Sequence, residues 1–482
     1  MSQVRQAVFY SSVSRYGMRL FGLASTMIVA RLLTPEEIGT FAIASAIVMV
    51  ISEFRLLGAG NYLIREKELT KDKIRSATGL TIIISWGLGI LIWVAAPWVA
   101  EFYGLVPITT IFRILAVSFF LAPLISIPTS LLMRDFRFRE LFFVRMILTI
   151  TNFVTTISLI LLGFSFYSLA WGYTLAVIAE FIVIFALRPS GMPWVPSFRR
   201  IQPILKFGIY NSLGNVFNRG VVTAPDMIIG RMGTTAQVGM FSRGLGFIEF
   251  VSQTLLMGVK PVALPYLSDV QRSGGSSNDA YIRASTMLGA MVWPVLAVAS
   301  VVSLPAILLF FGDQWDAAAP YATFLAYWAM FRTMHWFSSD LLNAKGKEKI
   351  MVIKEGMMFG LYFGGVVLAF PLGLLSVAAT FAGLGLVDML ITTVFLARYV
   401  KLSPFDFLKA WGSNILLTLI CWGAASVIYV MFSGEDGRAI FALIMVASIL
   451  PFVWVAGLYV TRNPLRNEVG IALTWLKDKI SK

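Results

Sequence analysis

Residues 28–41 read I-V-A-R-L-L-T-P-E-E-I-G-T-F, and residues 228–241 read I-I-G-R-M-G-T-T-A-Q-V-G-M-F. The second stretch lies 200 positions after the first, and Ile28/Ile228, Arg31/Arg231, Thr34/Thr234, Gly39/Gly239 and Phe41/Phe241 coincide. Widening the ungapped comparison to residues 10–58 adds Tyr10/Tyr210, Ser12/Ser212, Arg19/Arg219, Ala24/Ala224, Met27/Met227, Ser52/Ser252, Leu56/Leu256 and Gly58/Gly258. Chance in an apolar chain gives roughly four matches over such a window; here there are thirteen. The chain reads as two homologous halves. In a membrane protein, internal repeats of this kind mark a transporter that works between the halves.

Hydrophobic residues make up 58% of the 482 and charged residues 13%, far from the balance of a soluble domain. Apolar runs of about 20 residues recur from end to end, each long enough to cross a hydrocarbon core of about 30 Å. The fold class is therefore all-α, a polytopic membrane protein of about 14 transmembrane helices. They fall near 7–33, 38–60, 77–100, 107–133, 141–163, 167–187, 207–230, 236–257, 284–311, 319–343, 351–371, 374–397, 411–432 and 439–460. The 200-residue offset encloses an even number of spans, six. The two six-helix lobes thus share one orientation and are related by a pseudo-two-fold axis along the membrane normal. Residues 1–187 form the N-lobe, 188–206 a Pro-rich cytoplasmic linker, 207–400 the C-lobe and 401–464 two extra helices. Residues 465–482 alternate apolar and basic side chains and read as an amphipathic cytoplasmic tail. The first residues lack a charged–apolar–small cleavage pattern, so no removable signal peptide is expected.

Loop charge sets the orientation. With the N-terminus inside, 28 of the 39 Lys and Arg fall in inside loops, in clusters such as 65–75, 134–139, 188–206 and 345–354. Outside loops keep Arg31, Arg231 and Arg438. The asymmetry follows the positive-inside rule, with both termini cytoplasmic. It also accounts for the net charge of +14. Charges spread over short loops do not make the single basic surface that nucleic acid needs.

Eight arginines lie within or at the margins of spans: Arg15, Arg19, Arg55, Arg113, Arg145, Arg219, Arg243 and Arg332. A charge near the bilayer centre costs about 2.5–3.5 kcal/mol on insertion scales, so each needs water, a partner or an anionic substrate. Arg15 and Arg19 share a helix face. Arg19 and Arg219 are equivalent in the two repeats, and Arg55 and Arg243 add to the same wall from the next helices. A guanidinium fork matches two phosphate oxygens. Arg15, Arg19, Arg55, Arg219 and Arg243 are the candidate substrate-binding residues, for a phosphate or pyrophosphate. A structural reading stands beside this one. Arg15, Arg145 and Arg332 lie close enough to inside ends to snorkel. Arg55 can pair with Glu53, Arg219 with Asp226 and Arg243 with Glu249.

Carboxylates near the spans offer ion coupling, with Glu53, Asp226, Glu249 and Asp388 as candidates. His335, the single histidine, reads as a packed side chain before it reads as a proton relay. Cys421 stands alone, which excludes a disulfide or a cysteine metal site within the chain. No cofactor or metal is expected. The chain contains no G-x-x-x-x-G-K-[ST] motif, so it does not hydrolyse a nucleotide through a P-loop. One histidine excludes His-cluster chemistry, and the outer loops are too short to carry an enzyme's catalytic groups. The pattern points to moving a substrate, not altering it.

The stretch A-R-L-L-T-P-E-E-I-G-T-F-A-I-A at 30–44 resembles the bacterial polysaccharide-export (Wzx-type) flippases of the multidrug/oligosaccharidyl-lipid/polysaccharide exporter superfamily. So do L-M-R-D-F-R-F-R-E at 132–140, D-M-I-I-G-R-M-G-T-T-A-Q-V-G-M-F-S-R at 226–243 and L-N-A-K-G at 342–346. The resemblance covers the whole chain. It implies a V-shaped pair of six-helix lobes that opens alternately to each side. It implies an oligosaccharide repeat unit on undecaprenyl pyrophosphate as substrate, flipped from the cytoplasmic to the periplasmic leaflet for exopolysaccharide or lipopolysaccharide synthesis. It further implies the bacterial inner membrane, arginines lining the cavity, and a polysaccharide polymerase and chain-length regulator as partners. Alternatives are a drug exporter of the same superfamily, a flippase for the peptidoglycan lipid precursor, and a membrane oligosaccharide polymerase or ligase.

Overall fold

The computed structural model describes residues 3–55, 57–66, 68–187, 192–193, 195–199, 201–257, 276–433, 439–470 and 474; of these, side chains at 3–16, 203, 206, 207 and 211 are left aside. Every regular element among the described residues is helical. In chain order the α-helices are α1 (Gln3–Leu32), α2 (Pro35–Ser52), α3 (Ala59–Arg65), α4 (Lys71–Tyr103), α5 (Pro107–Arg134) and α6 (Phe138–Leu161). Next come α7 (Tyr167–Leu187), α8 (Gln202–Met232), α9 (Thr235–Leu256), α10 (Ser277–Val301), α11 (Ser303–Phe311) and α12 (Ala319–Met334). The last are α13 (Ser338–Ala344), α14 (Glu348–Ala369), α15 (Leu374–Val400), α16 (Pro404–Phe432) and α17 (Ala439–Val460).

Ten of the described helices are long and apolar enough to cross a membrane. In lipid the backbone must satisfy its own hydrogen bonds, which makes the helix the spanning element for such runs. Helices α1, α8 and α9 have the length, at 30, 31 and 22 residues, but they carry the arginines and carboxylates already singled out.

Residues group into two compact units, Met1–Ser242 with Glu355–Phe363, and Arg243–Lys354 with Gly364–Lys482. In the first, α3, α4 and α5 close a core around Leu63, Ala77, Leu80, Ile127 and Leu131. Met192 and Ile204, at either end of the linker region, join that core. Part of the linker is laced to the start of α4: the Ser197 amide donates to Arg75 O (2.9 Å), and Ser76 Oγ donates to Arg199 O (2.7 Å). In the second unit, α10, α16 and α17 pack around Leu417, Cys421, Ala425 and Val446. Leu465 and Val469 of the expected tail lie against this core; residues 471–473 and 475–482 fall outside the described set.

Helix interruptions have local causes. Pro123 in α5 has no N–H, so the Phe119 carbonyl loses its helical donor. Ser85 Oγ of α4 supplies one instead, at 2.5 Å. Pro294 in α10 frees the Ala290 carbonyl in the same way, and Trp454 Nε1 of α17 takes it at 2.8 Å. The span expected at 38–60 breaks after Ser52, because Leu57 (φ 38°) and Gly58 (φ 67°) turn the chain into α3. The spans expected at 284–311 and 319–343 break likewise, at Val302 and at His335–Phe337.

Candidate functional site

The first unit brings several of the singled-out residues to one place. Helix α2 starts on a capping box, in which Thr34 Oγ1 accepts from the Glu37 amide and Glu37 Oε2 accepts from the Thr34 amide, with Pro35 fixing the first turn. It stops at Ser52, and Glu53 and Arg55 fall on the break that follows. Gly208 of α8 approaches this break closely: a Cβ there would sit 1.6 Å from Leu57 O. Further along α8, Arg219 Nε donates to Glu53 Oε1 at 3.4 Å. The Arg55 guanidinium lies over the Phe119 ring, 5.3 Å from its centroid, in the range of a cation–π contact.

Glu53 and Arg55 border a cavity of about 470 Å³ within this unit. The rest of its wall comes from the end of α2, α3, α5, α6, α7 and the first half of α8, and includes Ser126, Thr129, Tyr173, Glu180 and Asn215. Three polar atoms on that wall, Arg55 Nε, Ser126 Oγ and Thr129 Oγ1, make no hydrogen bond within the described protein.

The other expected residues are distributed differently. Arg19 lies half-buried on α1 and does not border the cavity; the Arg15 side chain lies outside the described set. Arg219 pairs with Glu53, although Asp226 shares its helix, and Asp226 instead accepts from Ser242 Oγ. Arg243 belongs to the second unit. It is 9% exposed, with its guanidinium 4.8 Å from the Phe311 ring centroid and 4.7 Å from that of Trp315. Glu249 borders a small crevice with Trp328 and Arg332. Asp388 lies 3.7 Å from Lys354 Nζ and accepts from Thr392 Oγ1 at 3.1 Å.

His335 is buried and fully engaged. Its Nδ1 meets Tyr281 Oη and its Nε2 meets Thr393 Oγ1, each at 2.8 Å, and its ring stacks on Phe407 at 4.6 Å. Among the described residues no cluster of three His, Cys, Asp or Glu is placed to hold a metal ion. Sequence reasoning missed two groups. Lys354 was counted with the inside loops, yet it is buried on α14; the signal was its place at the start of an apolar run. Ser126 and Thr129, one turn apart on α5, carry no sequence signal beyond their helical spacing.

The long apolar helices, with a cavity lined within the first unit, define a multi-span helical membrane protein. The chain belongs to the polysaccharide biosynthesis protein family, whose model matches residues 28–320. It is 22% identical over 377 residues to the teichuronic acid biosynthesis protein TuaB of Bacillus subtilis (strain 168), covering 77% of each chain. It is 23% identical over 325 residues to the succinoglycan biosynthesis transport protein ExoT of Rhizobium meliloti (strain 1021), covering 67% of this chain and 65% of that one. The fold is shared with the lipid II flippase MurJ in an inward closed conformation, at a TM-score of 0.76 and 15% identity over 96% of this chain and 100% of that one.

Proposed function

We propose that this protein is a flippase: a transporter, not an enzyme, that moves an undecaprenyl-pyrophosphate-linked oligosaccharide repeat unit from the cytoplasmic to the periplasmic leaflet for exopolysaccharide or lipopolysaccharide synthesis. Membership of the polysaccharide biosynthesis family supports the pathway. A relative described as a transport protein and a shared fold with a lipid flippase support the activity. Both termini are cytoplasmic in this reading, and a polymerase and a chain-length regulator receive the flipped lipid.

The observation that carries the reading is the Glu53–Arg55–Arg219 group. Arg219 is held by Glu53 at 3.4 Å, yet 44% of its side chain remains exposed. Such an arginine can trade one anion for another. A substrate phosphate displaces the Glu53 carboxylate, and the fork binds two phosphate oxygens in its place. Arg55 joins it; Arg19 and Arg15 remain candidates on the sequence pattern alone. Glu53 comes from the first repeat and Arg219 from the second. Exchange of partners therefore makes the substrate favour one arrangement of the repeats over another, which is what a ligand must do to drive a conformational change. Glu53, as the partner that the substrate displaces, is one candidate for ion coupling; Asp226, Glu249 and Asp388 are further candidates.

The test is transbilayer movement of a labelled undecaprenyl-pyrophosphate oligosaccharide in proteoliposomes. The native chain moves the lipid, and Arg55→Ala/Arg219→Ala abolishes movement while the protein still inserts. Undiminished movement by the double variant removes the arginines from the mechanism; no movement by the native chain, with or without an ion gradient, removes the flippase.

A further inference from the structure

We infer that Arg134 is a positioning residue for the phosphate-binding group: it clamps the short helix α3 to the end of α5 and so fixes the break that carries Glu53 and Arg55. The inference rests on the flippase reading and adds to it a residue that does not border the cavity.

The geometry starts at the end of α3. The last carbonyls of a helix have no partner within it, and α3, with 7 residues, is too short to be stable by itself. Arg134, in the last turn of α5, meets those carbonyls. Its Nη1 donates to Leu63 O and to Glu66 O, each at 2.6 Å, and lies 3.4 Å from Ile64 O. A cation at a helix C-terminus also sits at the favourable end of the helix dipole. By sequence Arg134 counts among the charges of an inside loop; in the fold its side chain is half-buried and turned to backbone oxygens. Packing makes the clamp a matter of position. Ala59 and Leu63 of α3 share a core with Ile127 and Leu131 of α5, and Gly60 leaves room for Ser130 Oγ, with which a Cβ would collide. Helix α3 is thus carried by α5. Arg55 lies four positions before Ala59, across Leu57 and Gly58 at positive φ. So short a connection absorbs little, and a shift of α3 moves Arg55 off the Phe119 ring and Glu53 off Arg219.

The second repeat supplies the contrast. Leu342–Lys347 makes the same turn as Leu132–Arg137. The Arg137 amide donates to Leu132 O at 2.9 Å and the Lys347 amide to Leu342 O at 2.8 Å, while Phe136 (φ 55°) and Gly346 (φ 67°) take the left-handed conformation before them. Where the first turn has Arg134, the second has Ala344. A turn that forms around alanine does not need an arginine for its own sake. What Arg134 adds is the hold on α3, and a binding group keeps its geometry only when the residues behind it are fixed to within about 0.5 Å.

The experiment is a double-mutant cycle on the full chain in lipid nanodiscs, read as the affinity for undecaprenyl pyrophosphate by calorimetry. Arg134→Ala weakens binding about ten-fold in the native background and less than about two-fold once Arg55→Gln is present, the non-additivity of residues that act through one another. Arg134→Lys, which keeps the charge and some of the reach, recovers part of the loss. Arg139→Ala, which removes an equal charge from the same turn, leaves affinity unchanged. Loss of folded protein lowers the binding stoichiometry and not the affinity, so the two are read apart. An equal loss in both backgrounds, no loss in the native one, or unfolding with both Arg134→Ala and Arg134→Lys makes Arg134 structural and overturns the inference, leaving the flippase reading intact. Failure of the native chain to bind the lipid overturns the phosphate-binding group itself, and the inference with it.

Discussion

Gly39 and Gly239, equivalent residues of the internal repeat, meet each other at the first turns of α2 and α9. A Cβ on Gly39 would lie 1.8 Å from Thr235 O and 2.9 Å from the Gly239 amide nitrogen, and one on Gly239 would lie 2.1 Å from Pro35 O. Backbone cannot yield as a flexible side chain does, so both positions require glycine. Gly39→Ala is expected to destabilise the protein by about 1–3 kcal/mol, the usual cost of overpacking. Gly22→Ala, at a helical glycine with nothing near its missing Cβ, is expected to leave stability unchanged or slightly raised. Thermal unfolding in detergent compares the two.

The Arg219–Glu53 pair is half in solvent, and exposed pairs contribute about 0–1 kcal/mol. Arg219→Ala should therefore shift Tm little while abolishing lipid translocation. Arg219→Lys should retain part of the activity, since it keeps the charge and loses the fork. A large drop in Tm for Arg219→Ala would recast the residue as structural.

Arg243 should behave in the opposite way. Its contacts with Phe311 and Trp315 are each worth about 0.5–2 kcal/mol where water is excluded. Arg243→Ala is expected to lower Tm clearly and to reduce the yield of folded protein. The check is whether any activity loss tracks the amount of folded protein instead of the rate per molecule.

Lys354 and Asp388 form a buried pair, with side chains 7% and 13% exposed. Asp388→Asn removes the carboxylate from a buried ammonium and is expected to cost up to about 3–5 kcal/mol. Lys354→Met/Asp388→Leu, which removes both charges, should recover most of that loss. A double variant no more stable than the single one would show that the charges matter beyond each other, as ion coupling at Asp388 requires.

Near the start of α4, a hydrogen bond from Tyr62 and the Lys73 ammonium 3.4 Å away hold the Glu66 carboxyl below its ordinary value of 4.5. A depressed folded-state value stabilises the fold above the unfolded value, and the contribution disappears as pH falls through the folded one. The Tm difference between native protein and Glu66→Gln should thus be present at neutral pH and be lost as the pH falls through the depressed Glu66 value.

Spans set by length and hydropathy are legible in sequence: the expected 167–187 and 439–460 coincide with α7 and α17. A helix in lipid needs only enough apolar residues to cross. The capped starts of α2 and α9 are legible too, since Thr34/Glu37 and Thr234/Gln237 carry the capping pattern. The break at 53–58 is not, because a leucine at positive φ is chosen by tertiary contact with Gly208 and not by local preference. Arg219 posed the same difficulty. Sequence spacing offers Asp226 on the same helix, whereas Glu53, far off in the chain, is the residue the fold delivers. Composition reveals that a basic group exists; which carboxylate answers it is decided by packing.

The twin capping boxes have a consequence for the place where the two glycines meet. Thr34 with Glu37 and Thr234 with Gln237 let each helix start satisfy its own leading amides. Neither end borrows a donor or acceptor from the other to complete its first turn. The seam at Gly39 and Gly239 is a fit of surfaces, tight because nothing projects from either side. Surfaces of that kind can part and close again without stranding a hydrogen bond, like the unlatched edge of a door.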